Sequence, residues 1–219
     1  MGQRTNNGTR HTDDEWFAEL DRRFRPRRNE LLASRVERAR AAATPAPLDH
    51  TAAIRSEEWQ IAALPAGFDA ALLCRPRSWS HDEPGLLVDG RPMAASLYDL
   101  GRAMLDVASG GASGPFFSLE DVQGHHEARL WNDVFCHVQD RLGVERGTIR
   151  ATVVVDNEVA ACEMDEILYE LREHGAGLEL GPTAVGGRDG IDRLVATSRR
   201  RGALSLRRAA DEIPQLIPA

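Results

Sequence analysis

The 219-residue sequence contains no lysine, so all 27 of the residues counted as lysine or arginine are arginine. A P-loop nucleotide site, a kinase-type phosphate site and Schiff-base catalysis each need the amine of a lysine. The absence of lysine excludes these three classes of chemistry for this chain by itself. Any reaction that it performs has to use carboxylates, arginine, histidine or a metal ion.

Long apolar runs are also missing from the sequence. No stretch is apolar over the roughly 20 residues that a membrane-spanning helix needs. The first residues, MGQRTNNGTRHTDDEW, lack the apolar core of a signal peptide. The net charge of −7 argues against general binding of nucleic acid. We therefore expect a soluble cytoplasmic protein that binds neither a membrane nor nucleic acid.

Cysteine is scarce, and Cys74, Cys136 and Cys162 lie far apart in the sequence. This spacing fits neither a disulfide framework nor a zinc site, so we expect three buried thiols. The neighbouring pair His125 and His126 is no better as a metal site. Adjacent residues of a helix do not share a face, and their side chains do not converge on one ion.

A strand, a turn and a helix follow one another in residues 147–177. Residues 148–155 are mostly β-branched and apolar, which predicts a strand covered on both faces, as in a parallel sheet. Asp156 ends this strand, and apolar residues then recur at helical spacing. Catalytic side chains of α/β folds concentrate at the carboxyl ends of such strands. Asp156 is therefore a candidate functional residue, and capping of the following helix is its structural alternative.

Several long segments resemble one known family. GPFFSLEDVQGHHEARLWNDVF, RGTIRATVVVD and EMDEILYELREHGAGL, from residues 114–178, resemble the central barrel segment of A-type malate synthase. ELDRRFRPRRNELLASR and IRSEEWQIAALPAGF are similar to the helix and the lead-in segment that precede that barrel. The resemblance implies a TIM barrel and the condensation of acetyl-CoA with glyoxylate. In that reaction Mg²⁺ polarises the aldehyde, a general base removes a methyl proton and an arginine stabilises the enolate oxygen.

The segment DAALLCRPRSWS resembles a later strand of the family barrel and places Arg77 at the position of the active-site arginine. A planar guanidinium can bind a carboxylate through two parallel hydrogen bonds and can stabilise an enolate oxygen. The resemblance therefore assigns Arg77 a catalytic role. A surface ion pair is the structural alternative.

The resemblance also identifies candidate ligands for Mg²⁺. Asp156 stands where the family has a metal-binding glutamate, one methylene longer. An ungapped alignment places Ala184 at the second metal position, whereas a shifted alignment places Asp189 there. The implied Mg²⁺ site, formed by Asp156 and Asp189, is thus weak or lost.

Other charged residues near this region have less support as functional groups. Glu163, Asp165 and Glu166 are further carboxylates, but we expect them to be solvated or capping charges of the helix. Arg207 and Arg208 stand where the family has a glycine pair that lets the backbone approach closely. Two bulky cations at these places argue against binding of an acyl-CoA.

The chain is expected to form an α/β fold with a partial, incomplete TIM barrel. We predict an N-terminal helical extension and lead-in segment at residues 1–68 and a reduced barrel domain at residues 69–219. Helices are predicted over 13–43, kinked or ended by Pro26, and over 118–142. Strands are predicted near 70–75, 148–155, 176–180 and 202–206, which is about half of the eight that close a barrel.

Open strand edges and an uncovered apolar interior normally have to be hidden. We expect them to be covered by a second copy of the chain, by another protein or by the remaining helices. Two family barrel segments and the C-terminal domain that supplies the general base have no counterpart in the sequence.

These differences predict impaired or lost malate synthase activity and a role as a binding, regulatory or remnant domain. The alternative is an active C-acyltransferase, acting on an acyl-CoA and a 2-oxo acid. Its site would be completed by Asp189 or by a partner chain.

Overall fold

The computed structural model describes residues 7–41, 45–64, 73–109, 114–181, 185–207 and 215–216. Besides a 3₁₀ turn at Asp49–Thr51, the helices are α1 (Asn7–Ala41), α2 (Ala52–Ser56), α3 (Ala95–Ala108), α4 (His125–Leu142), α5 (Glu158–Cys162), α6 (Met164–Glu170) and α7 (Gly187–Arg200). The strands are β1 (Leu73–Cys74), β2 (Asp82–Val88), β3 (Arg91–Ala94), β4 (Phe116–Leu119), β5 (Arg150–Val155), β6 (Gly175–Leu180), β7 (Leu204–Arg207) and β8 (Gln215–Leu216). None of these described helices has both the length and the apolar character needed to cross a membrane.

One sheet contains strands in the order β1-β4-β5-β6-β7-β8, and its first five strands are parallel. A helix or a pair of helices lies between successive parallel strands, which is the connection that a parallel sheet requires. The described strands do not close into a ring. The predicted α/β fold with a partial TIM barrel is therefore confirmed.

The central parallel strands β4, β5 and β6 are buried on both faces, as the β-branched sequence of β5 predicts. Side chains alternate between the faces, so that one row contains Leu119, Val153 and Leu178. This row belongs to a hydrophobic core that also includes residues of α1, α4 and α6. The next row, on the opposite face, contains the buried hydroxyls of Ser118 and Thr152.

The helix predicted over 118–142 begins later than expected. Its first predicted residues belong to β4, whose four residues are all buried between β1 and β5. The prediction was wrong there because pairing with strands distant in sequence outweighs the local helical pattern. α4 starts after Gly124 and ends at Gly143, a left-handed residue typical of helix C-termini.

The helix predicted after Asp156 is divided into α5 and α6. The division occurs at Glu163, whose Oε2 accepts hydrogen bonds from the backbone nitrogen of His125 at 2.9 Å and lies 2.7 Å from its Nδ1. Glu163 thus joins the start of α4 to the start of α6.

The N-terminal helix is longer than predicted and continuous through Pro26 over 35 residues. Contacts on both sides of the proline hold it in place. Asp21 accepts a hydrogen bond from the backbone nitrogen of Ala94 at 3.0 Å. Arg28 donates to the carbonyl of Trp79 at 2.6 Å and to Asp82 at 2.8 Å. The expectation that Pro26 could end the helix was wrong, because these tertiary contacts compensate for the lost backbone donor.

Residues 82–94 contain an element that the sequence analysis missed. β2 and β3 form a separate antiparallel hairpin with a register shift between Glu83 and Leu87. Asp89 and Gly90, both with positive φ, form its turn. The Asp-Gly pair is a common signal for such a hairpin turn.

Arg201 joins the lead-in segment to the barrel domain. Its side chain is 1% exposed, and its guanidinium lies 4.0 Å from the centre of the Trp59 ring. It donates to Asp165 at 2.6 Å and to the carbonyls of Ile54 and Glu57, both at 2.8 Å. The lead-in segment therefore packs against the start of α6 and the end of α7, while the predicted domain boundary at residues 68 and 69 lies outside the described residues.

Asp165 and Glu166 of α6 are buried, contrary to expectation. Asp165 binds Arg200 and Arg201, and Glu166 forms an ion pair with Arg55 and a hydrogen bond with the hydroxyl of Thr51 at 2.6 Å. The prediction that these residues are solvated or capping charges was wrong. The arginines that bind them lie far away in sequence, so the pattern of the helix does not reveal their burial. These carboxylates hold the lead-in segment and α7.

The cysteines also differ from the prediction. Cys74 is exposed on the short strand β1, and Cys136 and Cys162 are only partly buried. β1 has a single partner, β4, within the described part of the sheet, and this position explains the exposure of Cys74.

At the other side of the sheet, β7 pairs with the antiparallel strand β8. This edge of β7 is therefore covered by the chain itself, through Gln215 and Leu216. We expected helices or a partner to cover the strand edges, and we did not expect a strand of the same chain to do so.

We predict that Arg201→Met lowers the free energy of unfolding by about 3 kcal/mol, because it removes one member of a buried ion pair and the hydrogen bonds that its guanidinium donates to backbone carbonyls of the lead-in segment. Urea unfolding followed by circular dichroism measures this change. Arg199→Met is the matched control: Arg199 is exposed, and its loss should change the free energy by less than about 0.5 kcal/mol. Equal effects of the two substitutions would contradict a structural role for Arg201.

Candidate functional site

Most of the residues singled out in the sequence follow the carboxyl ends of strands of the parallel sheet. Arg77 follows β1, Asp156 follows β5, and Asp189 lies in α7, the helix after β6. In α/β folds this edge holds the ligand and the catalytic groups. The sheet therefore places all three predicted residues beyond the same ends of its strands.

Asp156 is exposed at the end of β5. Its Oδ1 accepts a hydrogen bond from Nδ2 of Asn157 at 2.9 Å. Gly181 directly follows the neighbouring strand β6, and an added Cβ at this residue would lie 3.1 Å from the Cβ of Asp156. Glycine at this position therefore allows the two strand ends to approach closely.

Asn157, and not Asp156, caps α5. The side-chain oxygen of Asn157 accepts a hydrogen bond from the backbone nitrogen of Ala160 at 2.9 Å. Satisfying a free backbone donor in this way is the normal function of an N-cap residue. The alternative in which Asp156 serves as the cap is therefore wrong.

Arg77 has its guanidinium bound by two carboxylates. It donates to Asp99 from Nε at 2.9 Å and from Nη2 at 2.7 Å, and to Glu83 from Nη2 at 2.8 Å. The hydrogen bond with Asp99, helped by Glu83, raises the pKa of Arg77 above its ordinary value. The same contact with Arg77 lowers the pKa of Glu83. In this arrangement Arg77 joins β1, the β2–β3 hairpin and α3.

A second arginine of the same segment lies closer to the sheet. Continuing the alternation of β1 by one residue places Arg75 level with Ser118, on the face that also carries Thr152. Nε of Arg75 lies 4.0 Å from Oε1 of Glu120, the first residue after β4. The sequence analysis did not single out either residue. Arg75 lies two residues after Leu73, and residues two apart in a strand share a face of the sheet, so this spacing indicates which face Arg75 occupies.

The face of the sheet below this edge contains a buried polar row. The hydroxyl of Thr152 donates its one hydrogen bond to Glu179 of β6, and the carbonyl oxygen of Phe117 lies 3.3 Å from the same hydroxyl. Glu179 and Ser118 are fully buried. A buried carboxylate needs such hydrogen bonds because its removal from water is costly.

Asp189 lies exposed in the first turn of α7, after two glycines with positive φ. No hydrogen bond or ion pair of Asp189 occurs with the residues that the structure describes. Ala184, its competitor for the second metal position, lies outside the described residues, and so does Arg208. Arg207 is exposed at the end of β7.

The implied Mg²⁺ requires oxygen ligands in near-octahedral geometry, supplied by carboxylates and water. Within the described ranges, no group of three histidine, cysteine, aspartate or glutamate side chains is arranged to hold a metal ion. Asp156 is a single exposed carboxylate that is already bonded to Asn157. Asp156 thus has no cluster of further metal-binding side chains around it in the described ranges.

Comparison with known proteins identifies what this arrangement is similar to. A family model for the TIM-barrel domain of malate synthase matches residues 71–204. Relatives include the malate synthase of Myxococcus xanthus strain DK1622, 51% identical over 117 residues, and that of Dictyostelium discoideum, 47% identical over 115 residues. A glyoxysomal malate synthase of Candida tropicalis is 43% identical over 113 residues. The first two matches cover 51% of this chain but only 21% of each relative.

We predict that Arg77→Gln lowers the free energy of unfolding by about 1 kcal/mol, because it leaves two neighbouring carboxylates without their shared cation. The partial exposure of Arg77 keeps this effect modest. Urea unfolding measures the change.

Arg75→Gln provides the matched control. The longer contact between Arg75 and Glu120 joins two half-exposed side chains, so its loss should change the free energy by less than about 0.5 kcal/mol. If Arg77→Gln leaves stability unchanged, the structural role that we derive for Arg77 is wrong.

Proposed function

Because the chain belongs to the malate synthase family through its TIM-barrel domain, we propose that it keeps the family scaffold with little or no malate synthase turnover of its own. It would act as a binding or regulatory domain. The observation that carries this proposal is the state of Asp156, an exposed carboxylate bonded to Asn157 with no converging group of metal-binding side chains in the described residues.

The contacts of Arg77 support the same proposal. A guanidinium that binds both Asp99 and Glu83 offers less of its fork to the enolate oxygen of a substrate. A shorter Asp156 also reaches less far toward a metal ion than glutamate would. Loss of the charge that polarises a carbonyl costs several kcal/mol of transition-state stabilisation. Because each 1.36 kcal/mol corresponds to a factor of about ten in rate, turnover should fall by at least about a hundredfold.

An active enzyme is the second candidate function. The observation that favours it is the position of Arg75, beyond the end of β1 on the face that carries the buried polar row. In this version Arg75 or Arg77 binds a 2-oxo acid such as glyoxylate, and acetyl-CoA supplies the acyl group. Asp189 or a partner chain would add the second ligand of Mg²⁺ beside Asp156.

The partners and the compartment are part of the proposal. β1 has an unpaired outer edge in the described part of the sheet, which supports covering by a second copy or by another protein. We place the chain in the cytoplasm, although several matched relatives are named as glyoxysomal. We also keep the division into an extension at 1–68 and a barrel domain at 69–219.

Thiol release from acetyl-CoA, measured with glyoxylate and Mg²⁺, tests the proposal. We expect the rate to stay below about one hundredth of that of a full-length relative measured in parallel. The rate should also equal that of Asp156→Ala. Turnover that Asp156→Ala abolishes would overturn the proposal and support the enzyme.

Asp189→Ala and Asp192→Ala separate the two forms of the alternative. Both residues are exposed on α7, but only Asp189 is the candidate that the shifted alignment gives for the second metal position. If the chain is active and Asp189 completes its site, Asp189→Ala loses activity and Asp192→Ala keeps it. Calorimetric titration of glyoxylate, with and without Mg²⁺, then distinguishes a ligand-binding domain from a scaffold without a ligand.

A further inference from the structure

A cavity of about 590 Å³ lies between α1 and α4, away from the carboxyl edge of the sheet. We call it the α1–α4 cavity. Its lining residues are Arg23, Phe24, Arg27, Leu130, Asp133, Cys136, His137, Asp140 and Arg146. These residues belong to the two helices and to the loop after α4, and neither proposed function assigns a role to any of them.

The basic residues of the cavity differ in their partners. Arg146 is bound to Asp140 through two hydrogen bonds of 2.8 and 2.7 Å, and Arg27 forms an ion pair with Glu30 at 2.9 Å. Arg23 has no ion pair with any described residue, and its guanidinium lies 5.6 Å from the centre of the Phe24 ring. Arg23 is thus the cation of this cavity whose hydrogen-bond donors remain available to a ligand.

His137 provides a second available polar group. Its Nε2 is buried and has no hydrogen-bond partner among the described residues. The nearest carboxylate oxygen, Oε1 of Glu19, lies 3.9 Å away and accepts a hydrogen bond from Arg141 at 3.2 Å. Burial lowers the pKa of His137 and so favours the neutral ring, which donates one hydrogen bond from Nε2 in the tautomer that carries its hydrogen there. A buried polar atom without a partner costs free energy that a ligand can recover.

The remaining lining contributes apolar surface. Phe24 and Leu130 are buried in the hydrophobic core, and the Phe24 ring meets the His137 ring edge to face at 5.5 Å. Binding sites for small molecules usually combine such apolar walls with a few polar groups that fix the orientation. The α1–α4 cavity has both parts.

We propose that the α1–α4 cavity binds a small organic anion. Its carboxylate or phosphate group pairs with Arg23 and accepts a hydrogen bond from Nε2 of His137, and its apolar part lies against Phe24 and Leu130. The inference does not depend on malate synthase activity, because it uses no residue of the carboxyl edge.

Calorimetry with three aromatic probes tests the chemistry of the site. Benzoate and phenyl phosphate carry an anionic group on a ring, and benzamide is the neutral counterpart of benzoate. We expect saturable binding of one or both anions, with at least about tenfold weaker binding of benzamide. Whichever anion binds more tightly identifies the anionic group that the cavity prefers. Absence of saturable anion binding, or equal binding of benzamide, would overturn the proposal.

Arg23→Gln and Arg22→Gln form a matched pair of variants. Both arginines are exposed on α1, but Arg22 is bound to Asp89 at 2.6 Å and does not line the cavity. We expect Arg23→Gln to weaken binding of the preferred anion about tenfold and Arg22→Gln to leave it unchanged. An equal loss in both variants would indicate general attraction by the helix charge and would refute a specific site.

Alkylation of cysteine tests where the anion binds and is independent of calorimetry. Cys136 lines the cavity, whereas Cys74 lies on β1 and serves as an internal reference. The preferred anion should slow alkylation of Cys136 by iodoacetamide and leave that of Cys74 unchanged, as measured by peptide mass spectrometry. Unchanged labelling of Cys136 at a saturating concentration would place the bound anion elsewhere and contradict the proposal.

Discussion

Parallel pairing of β5 with β4 and β6 determines where the candidate functional residues lie. The register aligns Ser118, Thr152 and Gly177 in one row and Leu119, Val153 and Leu178 in the next. Because side chains alternate strictly between the faces of a sheet, a shift by one residue would exchange the polar row and the hydrophobic row. The hydrophobic row packs in the core with the helices, and this burial opposes such a shift. The position of Asp156 beside Gly181 follows from the same register.

Arginine side chains attach the N-terminal region to this sheet and its helices. Arg28 holds α1 against the segment before β2, and Arg35 binds Glu127 of α4 through two hydrogen bonds of 2.7 and 2.6 Å. Arg201 reaches Asp165 and several backbone carbonyls at once. A planar guanidinium with five donors can bind several acceptors at once in this way, whereas the ammonium group of lysine acts as a point charge. In a chain without lysine, arginine therefore has a structural use at many of the positions where it is buried.

This structural use explains why the candidate site was only partly predictable. Asp156 was identified because a buried strand precedes it directly in the sequence, and strand ends form the functional edge of the sheet. Arg77 was singled out by the resemblance to the family, but its contacts with Asp99 and Glu83 depend on how α3 and the hairpin fold back. Asp165 and Glu166 look like surface charges in their helix, and only their distant arginine partners show that they are buried. The start of α4 was misplaced for a similar reason, since the strand before it forms through pairing with β1 and β5.

The sequence alone determined the excluded chemistry, the buried strand before Asp156, the parallel α/β class and the resemblance to malate synthase. These features depend on residue types and their order along the chain, which are local information. The tertiary structure decided which arginine joins which carboxylate, which face each residue occupies and that a strand of the same chain covers β7. Those contacts join residues far apart in sequence, as when Arg201 donates to the carbonyl of Ile54 across 147 positions. Periodicity and composition contain no information on such pairs, because a hydrogen bond depends on where two groups meet in space.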